Sequence, residues 1–291
     1  MKKVFSLMVA GLLSVTAAVA QVEFAWNVSA DLVSSYLWRG QYLGGLSIQP
    51  GASIGFEGEH TSLSVGAWGN YGFSDWKFMK NNANEGLNTY MVPELDLILD
   101  FGFYGVHIGA THYYYFGGTK FFNGFKQPEL GGSQTELMLG YNFADELDFG
   151  LYVNAYTYIC GDDGEYVRTL LTSDEVYKRY FSTYVELGYE IELPMEFTLT
   201  PVLGTVVNPY SCYAEGPTWS DWKHLGFTNL SLRLDKTWEF GDHTSLSVFA
   251  LGSVNFNDIN KDNLWLNTSG EDKIGYGQKL NGCIGVNINF E

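Results

Sequence analysis

From Val22 to Arg39 the chain reads VEFAWNVSADLVSSYLWR: Phe24, Trp26, Val28, Ala30, Leu32, Tyr36 and Trp38 occupy even positions, and Asn27, Ser29, Asp31, Ser35 and Arg39 odd ones. A period of two marks a β-strand with one apolar and one polar face. Trp26 and Trp38 share the apolar face twelve residues apart, and a strand rising ~3.4 Å per residue at a tilt of ~40° climbs roughly 30 Å between them. That is the thickness of a bilayer core between two aromatic girdles. The pattern predicts one continuous strand over Val22 to Arg39.

Eleven more alternating segments follow: Leu46 to Phe56, Leu63 to Phe73, Met91 to Phe101, Val106 to Phe116, Gln134 to Phe143, Phe149 to Ile159, Tyr180 to Ile191, Phe197 to Pro209, Leu225 to Trp238, Leu246 to Phe256 and Leu280 to Phe290. Their connections differ by rim. Those after even-numbered segments are tight (Glu57 to Thr61, Gly102 to Gly105, Ala144 to Asp148, Glu192 to Glu196, Glu239 to His243). Those after odd-numbered segments are long (Ser74 to Tyr90, Gly117 to Ser133, Cys160 to Arg179, Tyr210 to His224, Asn257 to Lys279), with Gly40 to Gly45 the exception. An even strand count with short turns on one rim and long loops on the other predicts an all-β fold, a transmembrane antiparallel up-and-down barrel of about twelve strands. Its turns would face the periplasm and its loops the exterior. A two-sheet sandwich accounts less well for strands this long that end on aromatic residues.

Composition sharpens this picture. Residues 1–20 carry Lys2 and Lys3, an apolar stretch from Val4 to Val15 and Ala18-Val19-Ala20, the layout of a secretory signal peptide, leaving 21–291 as the barrel domain. Without Lys2 and Lys3 the sixteen basic residues fall to fourteen against thirty-three acidic ones, so the formal charge moves from −17 to −19. That charge argues against nucleic acid as a partner. With 34 Gly, 20 Tyr, 20 Phe and 8 Trp, the chain is stocked for turns and aromatic belts. Of the cysteines, Cys160 and Cys212 fall in loops of one side, where pairing stays open, and Cys283 fits a small buried thiol.

Two resemblances add to this reading. The run Ser34-Ser35-Tyr36-Leu37-Trp38-Arg39-Gly40, with Ser47-Ile48-Gln49-Pro50-Gly51, Val65-Gly66-Ala67-Trp68-Gly69-Asn70 and Glu94-Leu95-Asp96-Leu97, resembles the TorF-like porins over mainly the first hundred residues. This implies a barrel and a channel role, and carries over no functional residues. The last strand is similar to the carboxy-terminal targeting strand of outer-membrane proteins, although Glu291 follows Phe290. It implies handling by the barrel-assembly machinery and the outer membrane of a Gram-negative-type bacterium, with that membrane's lipid as a partner.

On the alternate, lumen-facing parity lie Asp31, Glu94, Asp96, Glu136, Glu186, Glu190 and Asp235 against Arg39 and Arg233. Asp31, Glu94, Asp96, Glu136, Glu186 and Arg233 are the candidate pore-lining residues. Among them Asp31, Asp96, Glu186 and Arg233 are expected near mid-height, either as an acidic constriction facing one guanidinium or as a charge-paired plug. The expected function is passive diffusion of small polar, neutral or cationic solutes; the alternative is a closed structural or surface-recognition barrel. Catalysis is not expected: Ser34 and His112 have outward parity near the outer rim, but nothing in the sequence brings them together. No cofactor motif occurs and the five His are scattered. Asp162-Asp163-Gly164-Glu165 is either a cation-holding loop or a solvated acidic turn.

Overall fold

The computed structural model describes residues 22–73, 93–116, 121–122, 133–147, 149–161, 163–168, 175–207, 228–255 and 280–291. Alternation becomes wall. The strands are β1 (Val22–Val33), β2 (Tyr36–Trp38), β3 (Gln41–Gly44), β4 (Ser47–Gly58), β5 (Thr61–Gly72), β6 (Glu94–Phe103), β7 (Val106–Tyr115), β8 (Ser133–Asn142), β9 (Leu151–Cys160), β10 (Gly164–Arg168), β11 (Glu175–Arg179), β12 (Thr183–Tyr189), β13 (Ile191–Leu193), β14 (Phe197–Val206), β15 (Thr228–Glu239), β16 (Thr244–Asn255) and β17 (Leu280–Phe290). A helical turn, Ala144–Leu147, lies between β8 and β9.

The large sheet runs β12-β9-β8-β7-β6-β5-β4-β1-β17-β16-β15-β14-β13 and closes through β12–β14 pairing. Because β12 and β13 are one strand interrupted at Glu190, the wall is a closed antiparallel barrel of twelve strands. Closure leaves no unpaired edge, which a bilayer requires of any strand that crosses it. The seam joins the first strand to the last, with Asp31 opposite Asn287 and Leu32 opposite Val286. Val22 pairs with Gly58 and Phe290 with Thr244, so both ends of the described chain lie at the short-turn rim.

One parity points outward all the way round. Phe24, Ile54, Val65, Leu99, Ile108, Leu139, Leu187, Leu203, Leu232, Val248, Ile284 and Val286 are all exposed. So continuous an apolar belt would be intolerable in water and is what a lipid-facing wall requires. Aromatic pairs edge it at both rims: Phe24 against Phe56 with centroids 5.9 Å apart at the turns, and Tyr114 against Phe116 at 5.2 Å toward the loops. A charged exception sits at the turn rim, where Lys236 reaches from beside Phe197 and Trp238 to the Glu196 carboxylate at 2.7 Å. The Lys236 ammonium holds the exposed Glu196 carboxyl below its usual range.

The first strand departs from expectation. It ends at Val33, bends at Ser34-Ser35, and residues 36–44 turn into the bore as a separate two-stranded hairpin, β2–β3. Trp38 is therefore a lumen residue stacked edge-on against Tyr113 at 6.3 Å, not part of a girdle. Alternation survives such a bend because a tight hairpin also has a period of two. The Gly40 to Gly45 exception disappears with it: the true connection from β1 to β4 is residues 34–46, a long one folded inward.

Candidate functional site

The hairpin turns on Arg39 and Gly40, both left-handed, at φ 49° and 78°. Two successive positive φ values suit a tight hairpin, but Arg is an uncommon residue for the first of them. What holds it there is the wall. The Arg39 guanidinium donates to both Glu136 carboxylate oxygens, one bond being Nη1 to Oε2 at 2.9 Å. It also lies 4.5, 4.2 and 4.8 Å from the ring centres of Trp38, Tyr156 and Tyr184. The side chains are 8% and 2% exposed, so the pair is a dry one in which each charge depends on the other.

The cage is itself braced. Tyr156 donates its hydroxyl to Glu186 at 3.0 Å, and Tyr184 donates to Asn229 at 3.0 Å. Tyr184 packs flat against the wall because Gly204 has no side chain; a Cβ there would fall 1.7 Å from the Tyr184 hydroxyl oxygen. Elsewhere on the hairpin Tyr36 donates to Glu94 at 3.0 Å and packs on Trp68 at 5.6 Å. Asn281 donates to the Gly40 carbonyl at 2.7 Å, and Gly40 abuts Ser253 and Asn229. These contacts reach β5, β6, β7, β8, β9, β12, β15, β16 and β17 (through Trp68, Glu94, Tyr113, Glu136, Tyr156, Tyr184, Asn229, Ser253 and Asn281), nine of the twelve wall strands. The hairpin spans the bore, and two apolar clusters, Tyr113–Tyr158–Tyr184–Val206 and Val33–Phe249–Cys283, pack around it. Cys283 is thus the buried thiol its parity implied.

Toward the turn rim the lumen is wetter. His107 bridges Asp100 at 3.0 Å and Asp145 at 2.9 Å, and these side chains are 25%, 25% and 36% exposed. Asn27 meets Asn289 there. The hairpin crosses the bore on the loop side, and the turn side is solvent-accessible.

The sequence-predicted residues are all on the lumen face, but they do not form one constriction. Glu136 holds Arg39; Glu94 and Asp96, buried beside it, belong to the hairpin layer. Asp31 accepts instead from Asn287 at 2.7 Å, and Glu186 from Asn154 at 3.2 Å and Tyr156. Arg233 does not face these acids: it pairs with Asp235 on its own strand at 2.8 Å, over the Phe249 ring at 3.9 Å. Two residues apart on one strand face, Arg233 and Asp235 are natural partners. The guanidinium at the centre is Arg39, which sequence reasoning assigned to a strand end. Its signal was the excess length of the first segment together with Gly40 and the Gly44-Gly45 pair.

Ser34 and His112 stay apart, on β1's end and on β7 four strands round the wall. Ser34 Oγ accepts from the Ile284 amide at 2.9 Å. The His112 ring nitrogens engage Thr135 at 2.9 Å and the Phe121 carbonyl at 2.7 Å under the Phe121 and Phe122 rings. The acidic turn is not a cation loop through Asp163, whose carboxylate accepts from both the amide (3.0 Å) and the hydroxyl of Ser182. Asp162, Cys212 and with it the Cys160–Cys212 pairing lie outside the described residues, as do residues 1–20. Among the described residues no group of three or more His, Cys, Asp or Glu is placed to hold a metal.

No family model matches the chain, and no curated protein does. Solved structures give weak overall likenesses. The Salmonella typhi outer membrane phospholipase dimer with bound calcium is 12% identical, covering 91% of this chain and 90% of that one at a TM-score of 0.35. OmpF of Salmonella typhi in complex with daunomycin is 9% identical, covering 92% and 97% at 0.30. OmpT, an outer membrane protein of Vibrio cholerae, is 7% identical, covering 94% and 99% at 0.29. The architecture rests on the chain's own pairings; the likenesses do not assign a role.

Proposed function

We propose that the protein is a porin-like channel of the outer membrane of a Gram-negative-type bacterium, closed at rest by its inward hairpin and passing small polar, neutral or cationic solutes when the hairpin moves. The observation that carries this is the polar fastening of the hairpin. Barrels of about eight strands close by filling the lumen with wall side chains, whereas this twelve-stranded one is crossed by a separate segment, tethered at the loop rim, above a solvent-accessible vestibule. In this reading residues 1–20 are a removed leader, the apolar belt meets outer-membrane lipid, and the barrel-assembly machinery inserts the chain. The tight turns face the periplasm. In this reading the barrel has no catalytic role, in keeping with an outward hydroxyl and imidazole, Ser34 and His112, that lie on separate strands with separate partners.

A permanently closed scaffold is the second reading, favoured by the dryness of the Arg39–Glu136 pair. Planar-bilayer conductance separates the two. The refolded chain should be mostly closed with discrete openings, and a variant with residues 36–44 replaced by a short Gly-Ser link should conduct steadily. A folded hairpin-less barrel that carries no current would sink the channel reading.

A further inference from the structure

The wall half of the Arg39 cage exists without the hairpin. Glu136 on β8 presents a carboxylate, Tyr156 on β9 and Tyr184 on β12 present ring faces, and Glu186 and Asn229 fix those rings by their hydroxyls. A carboxylate between aromatic faces is a receptor for a planar, weakly hydrated cation. We propose that this is a recognition site for a solute bearing a guanidinium group, and that Arg39 is its built-in stand-in. The inference rests on the channel reading and names the solute for it.

Two features point the same way. First, withdrawal of the hairpin costs Glu136 the counter-ion it is paired with. An incoming cation removes that penalty, so its binding and the hairpin's departure are linked by competition for one carboxylate. A neutral or anionic solute gives no such return. Second, the layer holds acceptor capacity that Arg39 does not meet. Glu94 and Asp96 lie in it, both 6% exposed, and Asp96 Oδ1 is buried without a hydrogen-bond partner and within electrostatic reach of Glu94 and Glu136. An unmet acceptor beside the Arg39 site favours a solute that brings several N–H donors to the same level.

Arg39→Ala removes the stand-in and leaves every wall residue of the site unsubstituted. Calorimetric titration of that variant in detergent with methylguanidinium should show one saturable site, at least tenfold weaker in the parent chain and abolished in Arg39→Ala/Glu136→Gln. Methylurea, the same shape without charge, should not bind. Equal binding of methylurea, or methylguanidinium binding that survives Glu136→Gln, overturns the site. The parent chain supplies a second measurement that needs no variant to fold: proteoliposomes should swell faster in arginine than in isosmotic glutamate or glucose, and measurable swelling at equal rates overturns the proposal. Binding by Arg39→Ala together with a silent hairpin-less barrel would support the site while sinking the channel, and steady current without methylguanidinium binding would do the reverse.

Discussion

Arg39 and Glu136, separated by 97 residues in sequence, meet as a bidentate ion pair inside the barrel. Removing either partner strands the other in a dry site, so Arg39→Ala and Glu136→Ala should each destabilise the barrel by about 3–5 kcal/mol. The double variant should lose much less than the sum. Urea unfolding in lipid vesicles, followed by tryptophan fluorescence, gives the cycle; additive losses would show that the pair is not coupled.

Gly40 is the tightest point of the hairpin. It is left-handed at φ 78°, and a Cβ there would sit 2.6 Å from Ser253 Oγ and 2.8 Å from Asn229 Cβ. Gly40→Val combines backbone strain of about 1–2 kcal/mol with that clash, and the hairpin rather than the wall should yield. A leak current in bilayers with an unchanged far-ultraviolet circular dichroism spectrum is the expected result.

The two faces of β17 should respond oppositely to the same charge. Val286 points into the apolar belt, where an arginine near mid-membrane costs about 2–4 kcal/mol. Asn287, one residue on, faces the lumen and already donates to Asp31 at 2.7 Å. Val286→Arg should lower folding stability by that amount in vesicles while Asn287→Arg, beside an available carboxylate, changes it by under about 1 kcal/mol. Similar losses at both positions would reverse the assignment of inside and outside.

Burial raises the Asp163 carboxyl above its usual range despite its bonds from Ser182. A carboxyl whose folded pKa is raised stabilises fully below its unfolded pKa, and the contribution fades as pH rises through the folded value. The loop segment tied to Ser182 should therefore loosen from acid toward neutral pH. Hydrogen exchange at the Ser182 amide, corrected for intrinsic rates, should lose protection over that interval in the parent chain and stay level in Asp163→Asn.

With the hairpin removed, the remaining lumen is acidic. Asp31 and Glu186 are held by neutral partners, Asn287, Asn154 and Tyr156, so their charge is not cancelled by a neighbouring cation. The hairpin-less channel should prefer cations, and Asp31→Asn/Glu186→Gln should bring its reversal potential under a salt gradient toward zero. Anion preference in the hairpin-less barrel would mean that Arg233 dominates the field.

All twelve wall strands were legible in the sequence because each alternates for about ten residues, as a lipid-facing wall requires, including the one interrupted at Glu190. The lumen-facing parity of Glu94, Asp96, Glu136 and Glu186 was readable for the same reason. What could not be read was which charges meet. Register and barrel curvature decide that Arg233 turns to Asp235, and an inward fold, invisible to periodicity because Tyr36 and Trp38 keep the beat, decides that Arg39 reaches Glu136. Ser34-Ser35 and Arg39-Gly40 mark the bends only once their backbone angles are known.

At the root of the hairpin, Ser34 is bolted to the closing strand twice: its amide donates to the Ile284 carbonyl at 2.9 Å, and its hydroxyl accepts from the Ile284 amide. Farther along, the Gly40 carbonyl takes its bond from Asn281, 241 residues downstream. The segment that blocks the bore is made early in synthesis, yet its root and its Gly40 carbonyl are fastened by the last strand to arrive. Until β17 docks on β1 the root of the hairpin is unfastened, and a barrel caught half-assembled is an open trough rather than a stoppered tube. Sealing the wall and shutting the passage are then a single event in the life of the chain, set by loop closure over its whole length.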